Sequence, residues 1–278
     1  MKKIILFFVA LLIALLVVLF ILDKSGYPVL GFMRRKVVCV KPLRKEARVG
    51  KALEFLRIRK DSQAEALLDE VLVSEPVNLD ALWGKAEIFR RKYDYKNAQI
   101  FLRKVLKVNP KYYPARISLA YIQFRANEFN DAQKTIEDVL NEDCVDQDTQ
   151  ALSYVLLGNI FSTRSAKGNL MDKMRFTPLV KPYLDKGAEI SPNLSEVHLG
   201  LGSFYLLAPA LIGGSIDKAI EELEKAHKLA PDFATVNVRL AQAYEIKGDK
   251  TKFEFYLRRA EELEPNNEML IEFMQTKK

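Results

Sequence analysis

Histidine and cysteine are scarce in this 278-residue chain, with two of each: His198, His227, Cys39 and Cys144. Two cysteines exclude a disulfide framework and a four-cysteine zinc site, and two histidines exclude a site built from three imidazoles. Tryptophan occurs once, at Trp83, and the 12 glycines and 11 prolines are too few for a fibrous or low-complexity chain. There is no phosphate loop: Gly213-Gly214 has neither spaced glycines nor a following Lys-Ser/Thr pair, and reads as a helix-breaking turn. The acidic run of Glu142, Asp143, Asp146 and Asp148 lacks the glycine turn and terminal glutamate of a calcium loop, and reads as a solvated turn. Neither histidine lies near a cysteine nucleophile in sequence, and both read as surface or interface side chains. These absences point away from an enzyme, and no cofactor or metal is implied. At 49% hydrophobic and 28% charged residues, the chain has the composition of one or two folded domains.

Long apolar runs are absent too, with one exception. Ile4 to Leu22 is unbroken by any charged or polar side chain. At about 1.5 Å per residue it spans roughly 28 Å, close to the hydrocarbon thickness of a bilayer. A cleaved signal has an apolar stretch of about 7–15 residues followed by small residues at its cleavage site. Here the run is longer and ends in Leu22-Asp23-Lys24-Ser25. Residues 1–22 are therefore read as an uncleaved signal anchor, a single transmembrane helix, with cleavage after export as the rival reading. Cys39 lies well beyond the run and follows Lys36-Val37-Val38, which lacks the small residue that precedes a lipidated cysteine. It reads as a small semi-buried hydrophobe.

Charge is unevenly placed. Residues 1–60 hold 14 Lys and Arg against 3 Asp and Glu, which leaves 29 against 33 in residues 61–278. The net +7 thus belongs to the N-terminal fifth, and the mildly acidic remainder argues against a nucleic-acid partner. Residues 23–44 form a basic linker (Arg34, Arg35, Lys36, Lys41 and Arg44), the kind of juxtamembrane cluster that attracts anionic lipid head groups. Lys2 and Lys3 argue for a cytoplasmic N-terminus and the linker argues the reverse. The signal-like start weighs more, so residues 45–278 are expected outside the cytoplasm, on the periplasmic side or the cell surface.

Those residues repeat. The interval from Pro76 to Pro110 equals that from Pro231 to Pro265. Before these prolines recur Ala64-Leu68-Val71, Ala98-Leu102-Val105 and Ala219-Leu223-Ala226, whose offsets of four and three share one helix face. An apolar–small–x–x–aromatic spacing marks the preceding helices at Leu157-Gly158-x-x-Phe161, Leu201-Gly202-x-x-Tyr205 and Leu240-Ala241-x-x-Tyr244; Lys85-Ala86-x-x-Phe89 repeats it with Lys at the apolar position. With this helix–turn–helix period of about 34 residues, the stretch 45–265 resembles the tetratricopeptide repeat family. The resemblance implies an all-α, right-handed α-solenoid of about six helix pairs, following the N-terminal transmembrane helix. Asn266 or Asn267 should cap a last short helix that covers the final repeat. Two pairs are overlong. Residues 162–178 are expected to form a long loop between the helices of pair four, and residues 208–214 a loop in pair five with Ser215 as the next N-cap. The stretch APALIGGSIDKAIEELEKAHKLAP further resembles the tetratricopeptide lipoproteins associated with TRAP-type solute transporters, although the lipid-anchor cysteine is missing.

In such a superhelix the first helices line the concave side. The register assigns to that groove Trp83, Glu87, Arg90 and Arg91 in pair two, then Ile117, Tyr121, Phe124 and Arg125 in pair three. Val155 and Asn159 follow in pair four, with Arg239, Gln242 and Glu245 in pair six. Aromatic anchors mixed with arginine are the composition of binding hot spots. Arg90, Arg91 and Arg125 are expected to form a basic strip for a carboxylate-bearing partner, pairing with Glu87 or solvent being the alternative. The family's Lys/Asn clamp for a C-terminal carboxylate is not recognisable, since Asn159 is the only Asn among these positions. The functional expectation is a membrane-anchored, non-enzymatic scaffold holding a protein or peptide partner. The alternative is an extracytoplasmic accessory component of a solute transporter, partnered by its solute-binding protein.

Overall fold

A computed structural model of the chain describes residues 47–277. The apolar run at 4–22, the linker 23–44 and Cys39 lie outside the described residues. Among the described residues no helix is long and apolar enough to cross a membrane. They form 13 α-helices, one short 3₁₀ turn and no strand. The helices come as six antiparallel pairs and a cap: α1 (Ala47–Arg57) with α2 (Asp61–Ser74), α3 (Leu79–Arg91) with α4 (Tyr95–Val108), and α5 (Tyr113–Arg125) with α6 (Phe129–Leu140). Then follow α7 (Gln147–Lys167) with α8 (Leu170–Ile190), α9 (Ser195–Leu207) with α10 (Ile216–Leu229), α11 (Ala234–Lys247) with α12 (Lys250–Leu263), and the cap α13 (Glu268–Gln275).

The repeated apolar positions are the core. Ala64, Leu68 and Val71, Ala98, Leu102 and Val105, Ala132, Ile136 and Val139, and Ala219, Leu223 and Ala226 are all 0–1% exposed. Each triad lies on one face of the second helix of its pair. The small residues opposite permit close approach: a Cβ built on Gly202 would come within 2.5 Å of Leu223 Cγ. Lys85, which stands where the pattern has an apolar side chain, is buried because its ammonium bridges Glu65 (2.9 Å) and Asp69 (2.8 Å) on α2. Side-chain caps start many of the helices: Asn78, Asp94, Asp146, Ser215, Asp249 and Asn267 each accept from a backbone N–H in the first turn. Ser215 and Asn267 are thus the N-caps expected from the sequence. First helices of successive pairs touch one another along the array, from α1·α3 through α11·α13, and form a continuous inner wall.

Pair four corrects the reading of residues 162–178 as a loop. They are helical: α7 and α8 each run 21 residues and only Gly168 and Asn169 separate them. The extension is held by Phe161 stacked on Phe176 (centroids 5.9 Å apart), by Arg164 over the same ring (4.9 Å), and by a Ser165–Thr177 hydroxyl hydrogen bond (2.6 Å). Asn169 and Asp172 form a reciprocal capping box that starts α8, and Pro178 and Pro182 are carried inside the helix. Residues 208–214 do form a turn. It contains the 3₁₀ segment Ala210–Ile212 and Gly213 at φ 103°, and is closed by Ser215 N–H donating to Tyr205 O (2.9 Å).

Candidate functional site

The inner wall encloses a groove of about 2820 Å³, lined from all six first helices and the cap. Of the residues assigned to it from sequence, Trp83, Glu87, Arg90, Arg91, Ile117, Tyr121, Phe124, Arg125, Val155, Asn159 and Arg239 line this space. Gln242 and Glu245 do not. Gln242 accepts from Arg239 Nη1 (2.8 Å), and Glu245 pairs with Lys277 at the C-terminal end of the described residues.

Four of the expected residues form one network. Trp83 Nε1 donates to Ser118 Oγ (3.0 Å), and Ser118 Oγ donates to Glu87 Oε1 (2.6 Å). Glu87 accepts from Arg90 (2.6 Å), whose guanidinium lies over the Tyr121 ring at 4.3 Å. Burial alone would raise the Glu87 carboxyl, but the Arg90 guanidinium overrides it and holds the group down at about 2. Burial works against the Arg90 charge as well, and Glu87 outweighs it and raises that guanidinium. Tyr121 meets Phe124 edge-on (6.2 Å), and Phe124 meets Phe129 (6.0 Å).

The expected basic strip is internally neutralised. Arg90 pairs with Glu87, Arg91 with Asp61 (2.5 Å) and the carbonyl of Leu56, and Arg125 with Glu268. Arg91 and Arg125 share no carboxylate: each finds a partner of its own, on α2 and on the cap.

Some groove residues, Arg59 and Tyr93 among them, escape the register because they sit in turns. Arg59, Tyr93 and Asn127 occupy the turns within pairs one, two and three, one repeat apart, and all have positive φ (67°, 60° and 62°). The corresponding turn of pair six has Gly248 at φ 83°. The positive φ disfavours side chains such as Arg and Tyr. Two of these side chains span the groove. Arg59 pairs with Glu196 on α9 (2.5 Å) and lies over the Phe233 ring at 3.6 Å. Burial, with Arg91 adding like charge, pulls its guanidinium down to about 10, so it stays protonated at neutral pH. The Tyr93 hydroxyl accepts from the backbone N–H of Glu268 on the cap (3.4 Å), and burial beside Glu264 pushes it up to about 12. The first pair therefore touches the fifth and sixth, and the cap touches the second and third. The recurrence of a residue other than glycine at the same turn of successive repeats was the signal available in sequence.

Among the described residues none in the groove assemble as a catalytic constellation. His198 bridges Glu222 (2.7 Å) and the Pro192 carbonyl (2.8 Å), and His227 meets Tyr256 edge-on. Both lie away from the groove lining. Among the described residues no group of three His, Cys, Asp or Glu converges as metal ligands, and Cys144 is exposed in the turn after α6.

Family models for tetratricopeptide repeats match residues 49–112, 89–152 and 234–267. No curated protein matches the chain. Among solved structures it is similar to the human IFIT1 dimer with m7Gppp-AAAA at 18% identity and a TM-score of 0.57; the match covers 86% of this chain and 53% of that one. It is similar to the APC/C hetero-tetramer Cut9–Hcn1 at 14% identity and a TM-score of 0.54, over 82% and 42% of the two chains. PilW, a type IV pilus biogenesis factor, matches at 16% identity and a TM-score of 0.46, over 82% of this chain and 96% of its own. For the two matches with TM-scores above 0.5, identities this low show a likeness of fold alone. The chain carries tetratricopeptide repeats, arranged in an all-helical solenoid.

Proposed function

We propose that the chain is a membrane-tethered, non-catalytic scaffold whose groove holds an extended segment of a protein partner. The observation that carries the reading is the groove itself: it is lined by the aromatic side chains Trp83, Tyr121 and Phe124 together with a set of arginines, the composition of binding hot spots. Tetratricopeptide arrays are generally interaction scaffolds rather than enzymes. Residues 1–22 supply the tether and the basic linker favours an anionic bilayer surface; on this reading the solenoid faces away from the cytoplasm. The alternative, an accessory to a solute transporter, draws its support from the pair-five turn, whose Gly213-Gly214 followed by Lys218-Ala219 carries the local resemblance noted in the sequence. The polar and aromatic lining favours a peptide over a small apolar solute.

Pull-down from solubilised membranes, with the parent chain and a Trp83→Ala/Tyr121→Ala variant, tests the groove. Specific capture by the parent and its loss in the variant are expected; equal capture by both would overturn the reading. For the tether, a chain lacking residues 1–22 should leave the membrane fraction and keep its helical circular dichroism. If it stays membrane-bound, the tether lies elsewhere.

A further inference from the structure

We propose that Arg239 anchors an anion subsite in the groove and receives a carboxylate of the bound segment; this rests on the groove reading above. Seven arginines line the groove. Six have a carboxylate of the chain itself: Arg57 has Glu54, Arg59 has Glu196, Arg90 has Glu87, Arg91 has Asp61, Arg125 has Glu268 and Arg259 has Asp232. Among the described residues Arg239 has none within ion-pairing distance. Its single hydrogen bond runs from Nη1 to the neutral side chain of Gln242 (2.8 Å), and its Nε is buried without a partner. Glu272, on the cap, also lines the groove and is the acid whose field reaches Arg239, without coming within ion-pairing distance.

A half-buried cation with no carboxylate in contact is held at a cost that a ligand anion would reduce. Nε is closed off from the groove, so an anion would be received on Nη2, which no hydrogen bond of the described residues engages, in a charge-assisted hydrogen bond. Thr235 lies four residues earlier on the same helix face and also lines the groove. Its hydroxyl accepts from Asn267 Nδ2 (3.3 Å) and donates to nothing among the described residues, so its proton is available to the same anion. Burial acts on the Arg239 charge in the direction this geometry requires, lowering it to about 10 while leaving it protonated at neutral pH.

The test uses the full chain in detergent micelles, with its melting followed by circular dichroism as acetate or inorganic phosphate replaces chloride at constant ionic strength. Acetate is expected to raise the melting temperature of the parent in a concentration-dependent way. Arg239→Leu should abolish that response, yet melt in chloride no lower than the parent, because the unpartnered charge is gone. Arg239→Lys keeps a charge but moves it off the Nη2 position, and should need several-fold more acetate for the same shift. A Leu variant that melts several degrees lower or fails to fold would make Arg239 a structural residue and overturn the proposal, as would an acetate response that survives the substitution. A response to phosphate without one to acetate would overturn the carboxylate assignment. A protein partner captured equally by parent and Leu variant would overturn this subsite and leave the groove reading standing. A parent chain that captures no partner yet responds to acetate would overturn the groove reading and leave the anion subsite standing.

Discussion

A single methyl group decides how closely the helices of a pair can meet. Gly202 faces Leu223 Cγ at a distance no real Cβ tolerates, with the Ala219 carbonyl 3.2 Å away. Gly202→Leu is expected to cost roughly 1–3 kcal/mol or more by overpacking, read as a fall in melting temperature. A melting curve that does not move would show that α9 and α10 separate freely. Glu87 carries a different dependence. Its folded carboxyl is held below the unfolded value, so the stability it contributes is present above about pH 4.5 and is lost as pH falls toward about 2. Glu87→Gln leaves Arg90 buried beside an amide and is expected to destabilise by about 3 kcal/mol at neutral pH. The gap between parent and variant should narrow between pH 4.5 and 2 in denaturant titrations. A constant gap across that range would mean the pair contributes through packing rather than charge.

At the scale of elements, much of the array was legible because the repeat period fixes which face of each second helix is buried, and Ala64, Leu102 and Leu223 lie where that period puts them. The long hairpin of α7 and α8 was not legible. Gly168 and Pro178 punctuate residues 162–178 as a loop would, and the pairing of Phe161 with Phe176 that overrides them is tertiary. The local signal pointing the other way was Asn169-x-x-Asp172, the capping box that opens α8 almost as soon as α7 ends. Removing it with Asn169→Ala should cost about 1 kcal/mol. Hydrogen exchange should then quicken in residues 168–176 and stay unchanged in α9 and α10. Uniformly faster exchange throughout the chain would show that the hairpin tip is not an independent unit. In the groove, register found the residues on helices, such as Trp83 and Arg90, and missed Arg59 and Tyr93, whose positions depend on backbone turns and on partners far away in sequence.

At the scale of the whole solenoid, the ion pair of Arg59 with Glu196, its contact with Phe233, and the contacts of Glu268 with Arg125 and Tyr93 join the two ends of the repeat array to its far side. A solenoid whose repeats touch only their neighbours behaves as a one-dimensional chain of weakly coupled units, so its terminal repeats fray first. Here the ends are stitched into the middle, and fraying α1 or α13 would also break contacts with pairs two, three, five and six. The terminal helices should therefore exchange their amide protons nearly as slowly as the central ones, with melting as one cooperative transition. An Arg59→Ala/Glu268→Ala double variant should uncouple them: exchange in α1 and α13 should quicken by an order of magnitude or more while the central pairs keep their protection. If the parent already frays from its ends, the stitches do not couple them. If the stitches hold, a guest segment cannot be laid into the groove from the side without undoing them, and must be threaded in end-on or wait for the coil to spring open.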